Sequence, residues 1–382
     1  MKLLLFSLSK ALTASNGLSH AIAQLAHMLT EGGHSVSLVC TDTGGQPFFP
    51  FPGALRVYNL GLSYKRDKLV KLRVLFARTL EERHRIKYYG YGRKLAPGLA
   101  EIIDEEKPDL IICYQIRSAL IIKKILSLPV PVILSCHRCP DEIAADNRGL
   151  AVAEACDALH VLTQGQAKSI QEKIEGVQRV FVIGNAVSYR EEARPGCGSR
   201  RIISVGRVTP EKDYLLLINA FHELADEFPD WTIDIWGDTA QSKAYYRACM
   251  NRIKRYGLED RIIFKGVTRN VFEALQSASI LAMPSPAEAF PLVLLEGMSA
   301  GLPSVGLASC TGVNELITKE NGILTEKAPK AYAKGLSRLM RDRALREKMG
   351  ERARETVAQH SPEACKKRWE ELLASLVHDR RQ

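Results

Sequence analysis

The sequence predicts an α/β protein of two successive doubly wound parallel-sheet domains with a cleft between them. Three observations predict it. Short apolar runs of strand length alternate with amphipathic helix patterns, as in a parallel sheet covered by helices. The alternation breaks at a polar stretch near residues 191–200 and then restarts. The chain has 382 residues, too many for one ordinary core and suited to two domains of ~190.

The elements follow in order. The start, Met1–Phe6, imitates a secretion signal, but Ser7, Ser9 and Lys10 interrupt the apolar run early. Leu3–Ser7 therefore reads as a buried first strand. Leu18–Glu31 is a helix with Ile22, Leu25, Ala26 and Leu29 as its stripe. Gly32-Gly33-His34 ends it, and Ser35–Cys40 is the next strand. Ala96–Glu106 is helical up to the break at Pro108. Leu110–Tyr114 is a strand, Ala119–Leu126 a helix and Val130–Ser135 a strand. Ala158–Leu162 and Val180–Ile183 are strands around the helix Gly165–Ile174. Glu191–Arg200, with Pro195, Gly196 and Gly198, reads as a linker. Beyond it, Arg201–Val205, Trp231–Trp236, Arg261–Phe264, Ile280–Met283, Ser304–Gly306 and Ile323–Leu324 read as strands. Tyr214–Glu227, Gln241–Tyr256, Val271–Ala278 and Pro291–Ala300 are the helices between them. From Pro329 the chain is helical and charged, and Ser361-Pro362-Glu363 starts a last helix with Trp369, Leu372, Leu373 and Leu376 on one face. The domains fall at 1–188 and 198–361, with 362–382 packing back on the first. Ligands in such sheets sit at the carboxyl ends of the strands.

Apolar residues make up 46% and charged residues 25%, ordinary for a soluble globular enzyme. No run approaches the ~18 apolar residues of a membrane-spanning helix. Nine cysteines at irregular spacing argue against a disulfide framework and for a reducing compartment. Cys136-His137-Arg138-Cys139 is the one metal-like cluster, and it lacks the second ligand pair that zinc sites use. No metal or other cofactor is expected. The net charge of +10 is concentrated: Ser63–Lys94 holds eleven basic and three acidic residues, interleaved with Tyr64, Phe76, Tyr88, Tyr89 and Tyr91. A solvated helix face, an anionic membrane surface and nucleic acid compete for it. Nucleic acid ranks lowest, since no other nucleic-acid motif is present.

Two segments carry the chemistry. In Ser285–Pro303, Pro291 suits the first position of a helix, and Gly301 with Pro303 suits its end. Glu296 then lies on a face with Leu292, Val293 and Ala300, where a carboxylate is costly unless hydrogen-bond donors meet it. Sugar hydroxyls are such donors, and the helix start can hold a phosphate. In Ser204–Tyr214, Gly206 ends a strand between Arg207 and Lys212. The two cations can converge on a diphosphate, or form an ordinary basic turn.

Gly206-Arg207 with Lys212, and Glu288 with Glu296 in an E-x7-E frame, resemble the retaining glycosyltransferases of family 4, which have the GT-B architecture of two facing Rossmann-like domains. Asn16-Gly17 before a helix ending in Gly32-Gly33-His34-Ser35 resembles the family's early glycine loop, although Asn16 stands where a glycine is usual. Val182-Ile183-Gly184-Asn185-Ala186-Val187 is similar to the family's element before the second domain, with Gly184 in place of proline. The resemblance implies that Arg207 and Lys212 neutralise the donor's diphosphate, that Glu296 binds the ribose hydroxyls and that Glu288 touches the transferred sugar. Backbone at Gly17, Phe290, Pro291 and Leu292 would hold phosphate or sugar. His137, at a strand end in the first domain, would face the donor sugar, or else is an ordinary packed histidine. Arg138 and Asp141 beside it are acceptor candidates. Gly237 and Val267 end strands, as nucleotide contacts or as plain turns.

The expectation is a metal-independent retaining hexosyltransferase. It would move a sugar from a UDP-sugar to a lipid-linked or polysaccharide acceptor, as in lipopolysaccharide or capsule assembly. It would be cytoplasmic and peripheral to the inner membrane face through residues 63–94, with no nucleic-acid partner. The alternatives are a GT-B transferase for a soluble acceptor and a non-catalytic nucleotide-sugar-binding protein.

Overall fold

The computed structural model describes residues 1–14, 16–42, 44–61, 68–138, 152–177, 179–187 and 198–378. The linker expected at 191–200 and the candidate Asp141 therefore lie largely or wholly outside the described residues. The chain forms two compact units, Met1–Ala186 with the segment from Cys365, and Val187–Ala364.

The first unit holds strands β1 (Lys2–Phe6), β2 (Ser35–Cys40), β3 (Arg56–Asn59), β4 (Leu110–Cys113), β5 (Val132–Ser135), β6 (Ala158–Val161) and β7 (Val180–Val182). They form one sheet in the order β3-β2-β1-β4-β5-β6-β7. Every pairing is parallel. The apolar start of the chain is thus a central strand, and Leu3, Leu4, Leu5 and Phe6 are buried. Successive side chains of a strand point to opposite faces. Leu4 and Phe6 accordingly join one apolar cluster, and Leu3 and Leu5 another. Both faces are covered by helices, which is why these strands read as unbroken apolar runs.

The helices of this unit are α1 (Gly17–Glu31), α2 (Lys68–Leu75), α3 (Leu80–Glu106), α4 (Ile116–Leu120) and α5 (Gln164–Lys173). Asn16 caps α1, its side chain accepting from the Ser19 amide at 3.0 Å. Gly33 follows with φ of +81°, a conformation that favours glycine. Three elements differ from the sequence reading. Strand β3 was not anticipated. Helix α3 begins at Leu80 rather than Ala96, capped by Thr79, and runs through Pro97. Helix α4 continues as a π turn over Ile121–Ile125.

The second unit holds β8 (Arg201–Val205), β9 (Thr232–Trp236), β10 (Ile262–Gly266), β11 (Ile280–Met283), β12 (Ser304–Leu307) and β13 (Gly322–Thr325). Their order is β10-β9-β8-β11-β12-β13. Its helices are α6 (Tyr214–His222), α7 (Lys243–Arg255), α8 (Val271–Gln276), α9 (Leu292–Ser299), α10 (Thr311–Asn314), α11 (Pro329–Arg341) and α12 (Arg343–Ala358). Helix α6 stops five residues before the expected Glu227, because the chain turns over Glu223–Glu227. The last helix, α13 (Pro362–His378), returns to the first unit. Cys365, Trp369, Leu372, Leu373 and Leu376 complete the cluster that contains Leu3 and Leu5.

In both sheets the strand order reverses beside the first strand, between β1 and β4 and between β8 and β11. Loops leaving the carboxyl ends of such strand pairs diverge, and the opening they leave is where ligands bind in doubly wound sheets.

Candidate active site

Both motifs of the second unit leave its switch point. Gly206–Asp213 follows β8, and Pro284–Pro291 follows β11. They meet in an ion pair between Lys212 Nζ and Glu288 Oε1. The partners lie 76 positions apart and are only 19% and 14% exposed. Water screens such a pair less than it screens a surface pair.

The local chain geometry aims Lys212 there. Pro210–Lys212 forms a single tight turn, and Asp213 then adopts a left-handed backbone with φ and ψ of 46°. That conformation is uncommon for a residue other than glycine, and aspartate is among those that tolerate it best. The Asp213 carboxylate is paired with Lys327 at 3.1 Å. Tyr214, fully buried, donates its hydroxyl to the Gly206 carbonyl at 2.8 Å. Burial raises the Tyr214 pKa, with Glu288 nearby adding to the effect, so the phenol stays a donor.

The carboxyl ends of β8, β9 and β10 carry Gly206, Gly237 and Gly266 in a row. Gly206 donates its amide to Trp236 O, and Gly237 donates to Gly266 O, each at 2.8 Å. A Cβ on Gly237 would stand 1.8 Å from the Gly206 carbonyl oxygen, so no larger residue fits. Arg207 is exposed beside this row. Glu211 sits between the two cations with its carboxyl below the ordinary range, held there by its own amide and by Thr209, then by Arg207 and Lys212. Val267, also predicted, is exposed at the end of β10.

The second loop is held from behind. Gly312 donates to the Glu288 carbonyl at 3.1 Å, and a Cβ there would lie 2.3 Å from it. Phe290 is buried and meets His360 edge-on at 5.4 Å. Pro291 occupies the N-cap of α9 rather than its first helical position, and no side chain caps that end. The positive end of the helix dipole is therefore presented by backbone alone. Leu292 is buried. Glu296 follows one turn in. Its side chain keeps a partly exposed surface, yet the protein around it desolvates the carboxylate enough to lift its pKa to about 7.

In the first unit, Gly17 is the first residue of α1, and a Cβ there would meet nothing within 4 Å. The loop ahead of it is fixed by an aspartate the sequence reading missed. Asp42, buried at the end of β2, accepts from Leu12 N at 3.2 Å, Thr13 N at 2.9 Å and Thr13 Oγ1 at 2.7 Å. Burial opposes its ionisation, but the bonds from Thr13 and Leu12 prevail and hold its pKa below the usual value. His20 stacks on Phe49 at 4.5 Å on the same rim, a second missed feature.

His137 lies two residues past β5, and its Nε2 is 3.0 Å from Ser135 Oγ. The same hydroxyl is 2.8 Å from His160 Nδ1, and His160 Nε2 is 2.7 Å from Ile183 O. Burial lowers the pKa of His137 to about 3, with His160 adding to the effect. It lowers His160 to about 4 against the opposing bond to Ile183. Arg138, next in the chain, is exposed. Nothing in the spacing of Ser135, His137 and His160 announces their contact, since strand pairing alone brings β6 beside β5.

Comparison with known proteins agrees with this division. A family model described as glycosyl transferase 4-like domain matches residues 16–186. One described as glycosyl transferases group 1 matches residues 188–356. The exopolysaccharide phosphotransferase SCO2592 of Streptomyces coelicolor is 34% identical over 60% of this chain, which spans only 24% of that protein's length. The amylovoran biosynthesis glycosyltransferase AmsD of Erwinia amylovora is 23% identical over 97% of this chain and 99% of its own. Among solved structures, the sucrose-phosphate synthase of Thermosynechococcus elongatus superposes with a TM-score of 0.81 at 17% identity, over 99% of this chain and 100% of that one. The Anabaena protein HepE in complex with UDP and glucose gives 0.74 at 17%, over 98% and 100%. These likenesses establish the GT-B fold, with two Rossmann-like domains.

Proposed function

The chain belongs to the glycosyl transferases of group 1, with a glycosyl transferase 4-like domain ahead, and from that premise we propose that it is a metal-independent retaining hexosyltransferase using a UDP-sugar. The observation that carries the donor reading is the Lys212–Glu288 pair beside the start of α9. Without ligand, cation and carboxylate neutralise each other. A diphosphate draws Lys212 to itself and releases Glu288 for the hydroxyls of the hexose. Arg207 adds a second cation, and α9 adds its dipole. As the glycosidic bond breaks, negative charge grows on the leaving nucleotide, and these pre-placed positive groups stabilise that growth. Glu296 accepts from the ribose hydroxyls, which favour its ionised form. Gly237 and Val267 border the nucleotide, and the backbone at Phe290, Pro291 and Leu292 borders the phosphates. In the first unit, Gly17 and His137 are our candidates for sugar or phosphate contacts, and Arg138 and Asp141, the latter outside the described residues, for acceptor contacts.

The acceptor we propose is a lipid-linked or polysaccharide glycan of the bacterial surface, met at the cytoplasmic membrane face. The full-length similarity to the amylovoran biosynthesis glycosyltransferase supports the class. Helix α2 supports the membrane. Leu69, Leu72, Leu75 and Phe76 are exposed by 51–77%, and Lys68, Lys71, Arg73 and Arg78 are exposed among them. Val70 and Ala77, both buried, anchor the segment. Apolar side chains enter an interface while cations meet anionic headgroups.

The test has two arms. A panel of UDP-, GDP- and ADP-sugars is screened for thermal stabilisation and then for turnover in EDTA. Lys212→Ala and Glu296→Ala are expected to cut turnover at least a hundredfold with the fold intact. Near-normal transfer by both would sink the assignment. Anionic vesicles should bind the chain in a salt-sensitive manner. Binding unchanged by Leu72→Glu combined with Lys68→Glu and Lys71→Glu points instead to a soluble acceptor.

A further inference from the structure

His137 does not stand alone. Three polar groups lie behind it in series, and their chemistry leaves one arrangement of hydrogens. A carbonyl oxygen only accepts, so His160 Nε2 carries the hydrogen in its 2.7 Å bond to Ile183 O. The His160 ring is fully enclosed, with Trp369 of α13 packed against it at 4.6 Å. Such a site keeps an imidazole neutral, so Nδ1 is bare and accepts from Ser135 Oγ. That hydroxyl has one hydrogen, now spent, and presents lone pairs to its other neighbour. His137 Nε2, 3.0 Å away, must therefore donate. Were it bare, two lone pairs would face each other across a hydrogen-bond distance.

We infer that Ser135 and His160 are positioning residues that fix His137 as the Nε2–H tautomer, so that its Nδ1 is an acceptor for a hydroxyl hydrogen. Nε2 is held by Ser135, which fixes the plane of the ring as well. The consequence for the reaction rests on the reading of His137 as a sugar-facing group. A bare Nδ1 suits a sugar hydroxyl and repels a phosphate oxygen, which has no hydrogen to give. The hydrogen pattern itself does not depend on that reading. The third partner of the series is backbone at Ile183, just past β7, and the ring of His160 is wedged by the last helix of the chain. The orientation of His137 is thus set by Ser135 two positions before it, His160 23 positions after it and Ile183 46 positions after it, none of which touches a ligand in this reading.

The experiment is long-range proton–nitrogen NMR on the full chain labelled with 15N-histidine, at pH 7 and without ligand. The expected spectrum shows His137 and His160 each protonated at Nε2 and bare at Nδ1. Ser135→Ala should convert His137 to a mixture of tautomers, and Ser135→Thr should restore the single form. His160→Phe should also produce the mixture, whereas His160→Gln should preserve the single form. A carboxamide can still donate to Ile183 O and accept from Ser135. The threonine and glutamine variants also show whether loss of the signal reflects the hydrogen bond or the fold. A wild-type His137 protonated at Nδ1, or a tautomer unmoved by both Ser135→Ala and His160→Phe, overturns the inference. If no nucleotide sugar binds the wild-type chain, the transferase reading falls, while the ring-nitrogen pattern still decides this one.

Discussion

Glu296 sets up a conflict between stability and binding that a single substitution resolves. Its pKa in the folded chain is about 7 against an ordinary value of 4.5, so between those values the folded chain holds a proton the unfolded chain has lost. Stability then falls as pH rises from 4.5 through 7. The loss is at most about 3 kcal/mol, and less where the side chain meets water. Glu296→Gln removes the conflict. Thermal unfolding of the ligand-free variant should be higher than wild type at pH 8 and equal to it near pH 4.5. Donor binding runs the other way, because ribose hydroxyls stabilise the ionised carboxylate. Binding near pH 7 should release protons, seen as a calorimetric enthalpy that changes with the buffer's ionisation enthalpy, and Glu296→Gln should abolish that dependence. The carboxylate was legible in the sequence because helix periodicity alone places it among Leu292, Val293 and Ala300. The pairing of Lys212 with Glu288 was not legible. It depends on two loops meeting across the β8–β11 switch point and on the left-handed turn at Asp213, and neither follows from spacing.

The elements that were legible are those whose burial imposes a period. Strands covered on both faces read as apolar runs, and α1 and α13 read as stripes. Strand β3 was hidden because it is an edge strand paired only with β2, with three of its four residues exposed or nearly so. The front half of α3 was hidden by its charges and by Pro97, whose missing amide ordinarily ends a helix. Glycines carry element-level information of another kind. Gly350 of α12 lies against the Gly301 carbonyl that ends α9, and a Cβ there would be 2.1 Å from that oxygen. The obstacle is backbone, so one helix has to move. Gly350→Ala should destabilise the second unit by about 1–3 kcal/mol, typical of overpacking, read as a lower denaturant midpoint. Since α9 carries Glu296, UDP binding should weaken in the same variant, whereas a loss of stability with unchanged affinity would place the strain elsewhere.

At the scale of the whole chain, the informative feature is the crossing at the end. The backbone leaves the first unit after Ala186 and builds the second through Ala364. It then returns, so that Cys365, Trp369, Leu372, Leu373 and Leu376 finish a core begun by Leu3 and Leu5. The first unit is therefore built from two separate stretches of the sequence, and its stability depends on a helix that follows the second unit. His34 Nε2 lies 2.9 Å from Glu370 on the same helix, and Cys365 donates its thiol to the Gly184 carbonyl. Trp369 is 3% exposed, and removing a side chain of that size from a core costs about 3–5 kcal/mol. The cost should fall on one unit only. In Trp369→Ala, hydrogen exchange should quicken across α1, β1 and β6, while β8, β9 and β11 keep their wild-type protection. Equal loss of protection in both sheets would mean that the two units unfold as one, and that the returning helix serves the whole chain rather than the unit whose core it completes.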